Sequence, residues 1–309
     1  MLPIEEYRAA VNEALAALPC LLGAEPPFDE AQILDASQEG KPPQPLRAAM
    51  RYSLLLGGKR IRPVLLLMAY HLLKEDWREA LPFACAIEMI HTYSLIHDDL
   101  PALDNDSMRR GKPSNHMVFG ESMAILAGDG LLNLAYETML SAPLTARQPQ
   151  AALQAIAEIA TRAGVTGMIA GQTLDVTLEG ATPSEKAVRY IHQHKTADLL
   201  TAPIVAGLHL AGANAQQLAA GESYGQNLGL CFQIVDDLLD VQGDAVQMGK
   251  TLHKDEACGK QTWPVLFGIE ESQKQAQCLS DQACDAIRLF GEKADGLVEL
   301  CRRLVYRNQ

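Results

Sequence analysis

The sequence predicts an all-α protein: a single helical domain over residues 1–309, with about ten or more helices around a central apolar cavity. Three observations carry that expectation. Apolar residues recur at helical spacing through most of the chain. Ala, Leu and Gly dominate the composition, and aromatic residues make up only 5%. No sustained Val, Ile, Thr or Tyr alternation lies between turn signals, so strands are not expected. Nor does any period of 20–50 residues recur, which excludes a repeat array.

In order, residues 3–22 have helical spacing and read as an outer helix. Residues 23–45 concentrate prolines (Pro26, Pro27, Pro42, Pro43, Pro45) and read as a loop insertion around a short helix. A helix from near Pro45 stops at Gly57 and Gly58, a good C-terminal signal. GGKRIRP follows, with Lys59, Arg60 and Arg62 after a flexible Gly pair and ahead of a helix, and Pro63 suits a first helical turn. Backbone donors at a helix N-terminus beside Lys and Arg make an anion site; a solvated basic turn is the plainer reading.

The helix at residues 81–100 runs straight into two carboxylates, Asp98 and Asp99. His91 falls within about 20° of Asp98 around the helix, whereas Asp104, six residues on, falls about 240° away. For Asp98 and Asp104 to face one metal, the backbone has to bulge at Leu100–Pro101, and Pro101 forces it. The adjacent arginines Arg109 and Arg110 come next.

Helical patterns continue through residues 122–140, 148–164 and 165–178, the last carrying Gln172 and Asp175. Ser184 starts a helix leading into HQHKTADLL. There Lys195 and Thr196 are either an exposed turn or a kink that aims both side chains inward. Apolar helices at 199–213 and 219–240 follow. On the second, Asp236 and Asp240 share a face and Gln233 lies one turn below Asp236. A Gly- and Lys-rich stretch then carries Lys250, Lys254 and Lys260, ahead of two C-terminal helices.

A net charge of -12 argues against nucleic-acid binding, which needs a clustered basic surface. The seven cysteines are scattered with no CxxC spacing, which fits reduced thiols and neither disulfides nor a zinc site. No signal-peptide pattern opens the chain. The longest uncharged stretch, residues 199–221, contains Pro203, His209, Asn214, Gln216 and Gln217, and suits a core helix better than a membrane span. A soluble cytoplasmic protein is expected.

An isolated Asp-Asp pair is usually a solvated surface feature. Here the pattern appears twice, at Asp98 and Asp99 and again in FQIVDDLLD, which favours a shared metal site. Two Asp clusters, cations around them and apolar helices beneath are the parts of a site for an organic diphosphate. Mg²⁺ takes one or two carboxylates plus water and phosphate oxygens, and it inverts the repulsion between carboxylate and phosphate. The basic GGKRIRP segment adds a metal-free anion site, hence a second phosphorylated substrate. Two diphosphates over an apolar pocket point to the joining of two isoprenoid units.

At this point the chain resembles the trans-isoprenyl diphosphate synthases, most closely the bacterial short-chain farnesyl diphosphate synthases. The resemblance runs from about residue 46 to the C-terminus. It rests on GGKRIRP, EMIHTYSLIHDDLPALDNDSMRRGKPSNH, GMIAGQTLDV, HKT, GLCFQIVDDLLDVQGD and GKTLHKDEACGKQTWP. It implies that Asp98, Asp104, Asp236 and Asp240 bind Mg²⁺, three ions per active site, with Asp99 and Asp237 behind them. Lys59, Arg62, His91 and Arg110 would hold isopentenyl diphosphate. Arg109, Lys195, Lys250 and Lys260 would hold the allylic diphosphate. Lys195, Thr196 and Gln233 would face the allylic carbon and offer oxygen dipoles to the carbocation.

The implied reaction is ionisation of the allylic diphosphate, attack by the isopentenyl double bond and loss of a proton to pyrophosphate. A homodimer is implied as well. In this family the residues five and four before the first aspartate, here Tyr93 and Ser94, help to set the pocket floor. A ring at Tyr93 favours a C15 over a C20 product, unless Tyr93 merely packs between helices. Ser107 departs from the family by standing where relatives often carry an acidic residue. A terpene cyclase needs only one diphosphate, a silent partner subunit has lost an aspartate motif, and a simple cation binder leaves the basic residues unexplained.

Overall fold

The computed structural model describes residues 2–23, 41–182, 184–242 and 262–305. In chain order its helices are α1 (Ile4–Ala16), α2 (Gln44–Leu55), α3 (Ile61–His71), α4 (Leu81–Asp98), α5 (Asn115–Phe119), α6 (Glu121–Leu140), α7 (Pro143–Arg147) and α8 (Pro149–Ala163). They continue as α9 (Met168–Thr177), α10 (Glu185–Ile191), α11 (Asp198–Ala211), α12 (Ala215–Gln242), α13 (Trp263–Phe267), α14 (Ile269–Ile287) and α15 (Asp295–Val305). The protein is all-α, as expected. Its contacts fall into two compact units, one of residues 5–63 and 81–142, the other of residues 1–4, 64–80 and 143–309.

The first unit is built on α4. Phe83, Ala84, Ala86, Ile87, Met89 and Ile90 are all fully buried, so this helix is apolar on every side. α6 packs along it, and Gly128 is the reason it can: a Cβ there would lie 2.1 Å from Nε2 of His97. Arg60 and Glu88 form an ion pair of 2.5 Å with each side chain only 1% exposed. Arg60 also donates to Asn12 at 2.9 Å and to the Leu54 carbonyl at 2.7 Å. One small departure from the expectation of no strands occurs here. Met108–Arg109 (β1) and Lys112–Pro113 (β2) pair antiparallel. The two linking residues, Arg110 and Gly111, have φ of 53° and 73°, as a two-residue type I′ hairpin turn requires.

In the second unit α11 is buried along nearly its whole length. It packs against α8 and α12, and α14 runs beside α12. Glycines permit the close approaches: a Cβ at Gly229 would fall 2.4 Å from Cα of Ala197, and one at Gly207 would fall 2.5 Å from the Leu66 carbonyl. Ser184 caps α10 by accepting from the Ala187 amide. α10 and α11 are one continuous helical run, joined by a π turn at His192–Ala197. Among the described residues the cysteines are free, and no helix is long and apolar enough to cross a membrane.

Candidate active site

In the first unit the site is the polar end of α4 and what folds back over it. α4 ends at Asp98. The chain then turns: the Leu100 amide bonds the His97 carbonyl at 3.1 Å, Leu103 bonds Leu100 at 2.9 Å, and the Asp104 amide bonds the Asp98 carbonyl at 2.9 Å. Asp104 is thereby laid against Asp98. The expected bulge inside a helix at Leu100–Pro101 is corrected by this geometry. The helix stops instead, and Pro101 lies in the exposed turn that follows, where its missing N–H costs nothing.

Asp98 and Asp104 are both half-buried hard oxygen donors. Such a pair fits Mg²⁺, which completes its shell with water and phosphate oxygens. Among the described residues no group of three or more His, Cys, Asp or Glu side chains is gathered for a metal.

Asp99 faces the other way and is 2% exposed. It accepts three hydrogen bonds from Arg109, two from Nε at 2.9 and 3.2 Å and one from Nη2, and Arg109 also reaches Asp106 at 3.2 Å. Burial pushes the Asp99 carboxyl up and Arg109 pulls against it. Arg110 donates to the Gly57 carbonyl. Its guanidinium lies where a Cβ on Gly58 would come within 2.7 Å, and Gly58 has φ of 120°, so only glycine serves there. Arg109, Arg110 and Asp99 line one cleft with Thr92 and Asn115.

His91 is 3.4 Å from Nη1 of Arg62. Burial, then the charges of Arg62 and Arg110, hold its imidazole pKa well below 6.5. The neutral ring accepts from Arg62. Lys59 is exposed. Arg60, grouped with Lys59 and Arg62 by the sequence, is not part of an anion site: its φ of 51° turns it inward to Glu88. Tyr93, 6% exposed, stands edge-on to His97 with centroids 5.8 Å apart. Burial, then Tyr136, pushes its phenol up to about 12. Ser94 is half-buried and its hydroxyl donates back to the His91 carbonyl at 2.9 Å.

In the second unit the π turn answers the question left open at Lys195 and Thr196. It is the kink, not an exposed turn, and Thr196 is 8% exposed. Inserted residues of this kind are frequent at functional sites. α9 presses on the turn through Gly171, where a Cβ would stand 2.1 Å from the Lys195 amide nitrogen. Nζ of Lys195 is 2.5 Å from Oδ2 of Asp175. Thr196 donates to Oε1 of Gln233 at 2.6 Å, and Nε2 of Gln233 donates to Oδ1 of Asp237 at 2.9 Å. Asp236 and Asp240 are half-buried on α12, one and two turns beyond Gln233. Lys250 and Lys260 lie outside the described residues.

Two participants escaped the sequence, His192 and Trp263, both set against Asp237. Oδ2 of Asp237 accepts from the Trp263 amide at 2.8 Å and is 3.2 Å from Nε2 of His192, whose ring stacks on Trp263 with centroids 5.5 Å apart. The i,i+4 spacing of His192 and Thr196 within HQHKT was the available signal for the first. Nothing in the sequence flagged Trp263 or the fixed direction of Gln233.

The polyprenyl synthetase family model matches residues 43–287. The chain is 45% identical over 262 residues to a geranylgeranyl diphosphate synthase of Cyanophora paradoxa, covering 84% of this chain and 87% of that one. It is 43% identical over 266 residues to a farnesyl diphosphate synthase of Geobacillus stearothermophilus, covering 86% and 90%. A crystal structure of a Helicobacter pylori geranyltransferase, complexed with magnesium and isoprenyl diphosphate, superposes with a TM-score of 0.79 at 29% identity, covering 99% and 98%.

Proposed function

The chain belongs to the polyprenyl synthetase family of prenyltransferases, and from that premise we propose that it condenses isopentenyl diphosphate with dimethylallyl or geranyl diphosphate to give farnesyl diphosphate and pyrophosphate. Trans-prenyl transfer is the family's reaction, and the C15 product is the proposed outcome for this chain. The observation that carries it is Tyr93, a buried ring about 7.5 Å down the α4 axis from Asp98. A ring at that depth closes the floor beneath a growing chain.

Bound Mg²⁺ would supply charge neutralisation for the departing diphosphate, held by Asp98 and Asp104 and by Asp236 and Asp240. The side chains do the rest. Lys59, Arg62 and Arg110 grip isopentenyl diphosphate, and neutral His91 accepts from Arg62 and steadies it there, adding no charge of its own. Arg109, steadied by Asp99, and Lys195, steadied by Asp175, meet the allylic diphosphate, with Lys250 and Lys260 assigned to the same task. Thr196 and Gln233 offer fixed oxygen dipoles to the allylic cation, and the apolar walls keep water from it. The proton leaves to pyrophosphate. A homodimer is the proposed assembly, supported by exposed Met117, Ile125 and Leu126 on α5 and α6.

The test is product length. Purified protein with Mg²⁺, isopentenyl diphosphate and dimethylallyl diphosphate should give a C15 product, and EDTA should abolish it. Tyr93→Ala should lengthen the product to C20 or beyond. A C20 product from the unaltered chain would keep the reaction and remove the Tyr93 argument. No product with any allylic starter would overturn the reading.

A further inference from the structure

The side chains around Asp237 do more than pack, because their hydrogen bonds can run in only one direction. A carboxylate only accepts, and two donors are hydrogen-bonded to Asp237, Nε2 of Gln233 at 2.9 Å and the Trp263 amide at 2.8 Å, while Nε2 of His192 lies 3.2 Å from its Oδ2. Gln233 must therefore turn its amide nitrogen to Asp237 and its carbonyl oxygen to Thr196. Thr196, 2.6 Å away, must then spend its single hydroxyl proton on that oxygen. The lone pairs of the Thr196 hydroxyl are what remain for anything else that approaches. Asp237 and His192 are each 3% exposed, so the direction of the chain of bonds is fixed in the interior. The stacking of His192 on Trp263, at 25° between planes, holds the ring in place beside the Asp237 carboxylate.

We propose that Asp237, held by His192 and the Trp263 amide, is a positioning residue that sets the polarity of Gln233 and Thr196, so that the Thr196 hydroxyl presents oxygen rather than hydrogen to the allylic cation. This rests on the prenyl-transfer reading above. A developing cation is stabilised by oxygen lone pairs and opposed by an O–H proton, so the same two side chains pointed the other way would hinder the reaction they now assist.

The polarity can be reversed and restored by substitution. In Asp237→Asn, an amide nitrogen takes the place of Oδ1 and donates to Gln233, while the new carbonyl keeps the Trp263 amide. Gln233 then turns over, its nitrogen donates to Thr196, and the Thr196 proton is turned outward. The expected result is a fall in kcat on the order of a hundredfold, the scale of losing a preorganised dipole. KM for both diphosphates and the Mg²⁺ requirement should stay within about threefold, because no ligand to either is removed. Adding Gln233→Glu to Asp237→Asn restores an acceptor-only partner for Thr196 at unchanged net charge, and should recover most of kcat.

A stability measurement in EDTA accompanies the kinetics. Gln233→Glu alone sets two carboxylates together and should lower Tm, and Asp237→Asn should restore it in the double variant. The proposal is overturned if Asp237→Asn keeps kcat within about threefold of the unaltered protein, if the double variant shows no recovery, or if the two Tm effects simply add. An unaltered protein without prenyl transfer, but with the paired Tm effects intact, would overturn the functional reading and leave the relay standing.

Discussion

At the scale of single residues, burial separates the cations of GGKRIRP into different jobs. The Arg60–Glu88 pair is 2.5 Å long with both side chains 1% exposed, so Glu88→Ala strands a guanidinium in the interior. Breaking a buried pair from one side costs roughly 3–5 kcal/mol, and urea unfolding of Glu88→Ala should show a loss of that size. Arg62→Ala should leave the unfolding midpoint nearly unchanged and instead raise KM for isopentenyl diphosphate. Equal effects of the two substitutions on stability would contradict the division of labour. The sequence announces three cations but cannot say which faces in, because the answer depends on one left-handed backbone step at Arg60. The aspartates were easier to read. Adjacent residues at a helix end point about 100° apart, so Asp98 and Asp99 had to face different partners.

At the scale of elements, the π turn between α10 and α11 holds Lys195 and Thr196 where they are, and Gly171 of α9 lets it do so. Gly171→Ala puts a methyl 2.1 Å from the Lys195 amide nitrogen, a contact that backbone cannot relieve. The helix has to shift, at a cost of roughly 1–3 kcal/mol, and Lys195 loses its 2.5 Å contact with Asp175. Activity should fall together with Tm. Gly180→Ala is the comparison: its φ of 72° carries backbone strain, but its Cβ meets nothing within 4 Å, so prenyl transfer should be kept. The helices themselves were legible because their apolar spacing extends over many turns. The π turn was not, since a single inserted residue leaves the surrounding periodicity almost unchanged. A hairpin of two-residue strands is likewise too short to show alternation, although it is what carries Arg109 and Arg110.

At the scale of the whole molecule, three histidines make stability depend on pH in one direction. Burial lowers the pKa of His71, His91 and His209 from 6.5, and His91 is held well below it with the charges of Arg62 and Arg110 adding to the burial effect. In the unfolded chain these rings take up protons as pH falls through about 6.5; in the folded protein they resist until lower pH. The unfolded state thus binds more protons across that window, and stability must rise with pH there. It is complete above the unfolded value and is lost as pH falls below it. The raised carboxyl of Asp99 works with the opposite sign, but from a reference of 3.8, so its window lies lower. Between pH 7.5 and 5.5, in EDTA, Tm should therefore decline, and His91→Gln should flatten much of the slope. A slope left unchanged by His91→Gln would mean that His91 takes up its proton in the folded protein as readily as in the unfolded chain. Arg62 would then have no acceptor in that ring, and the assignment of that pair to isopentenyl diphosphate would have to be redrawn.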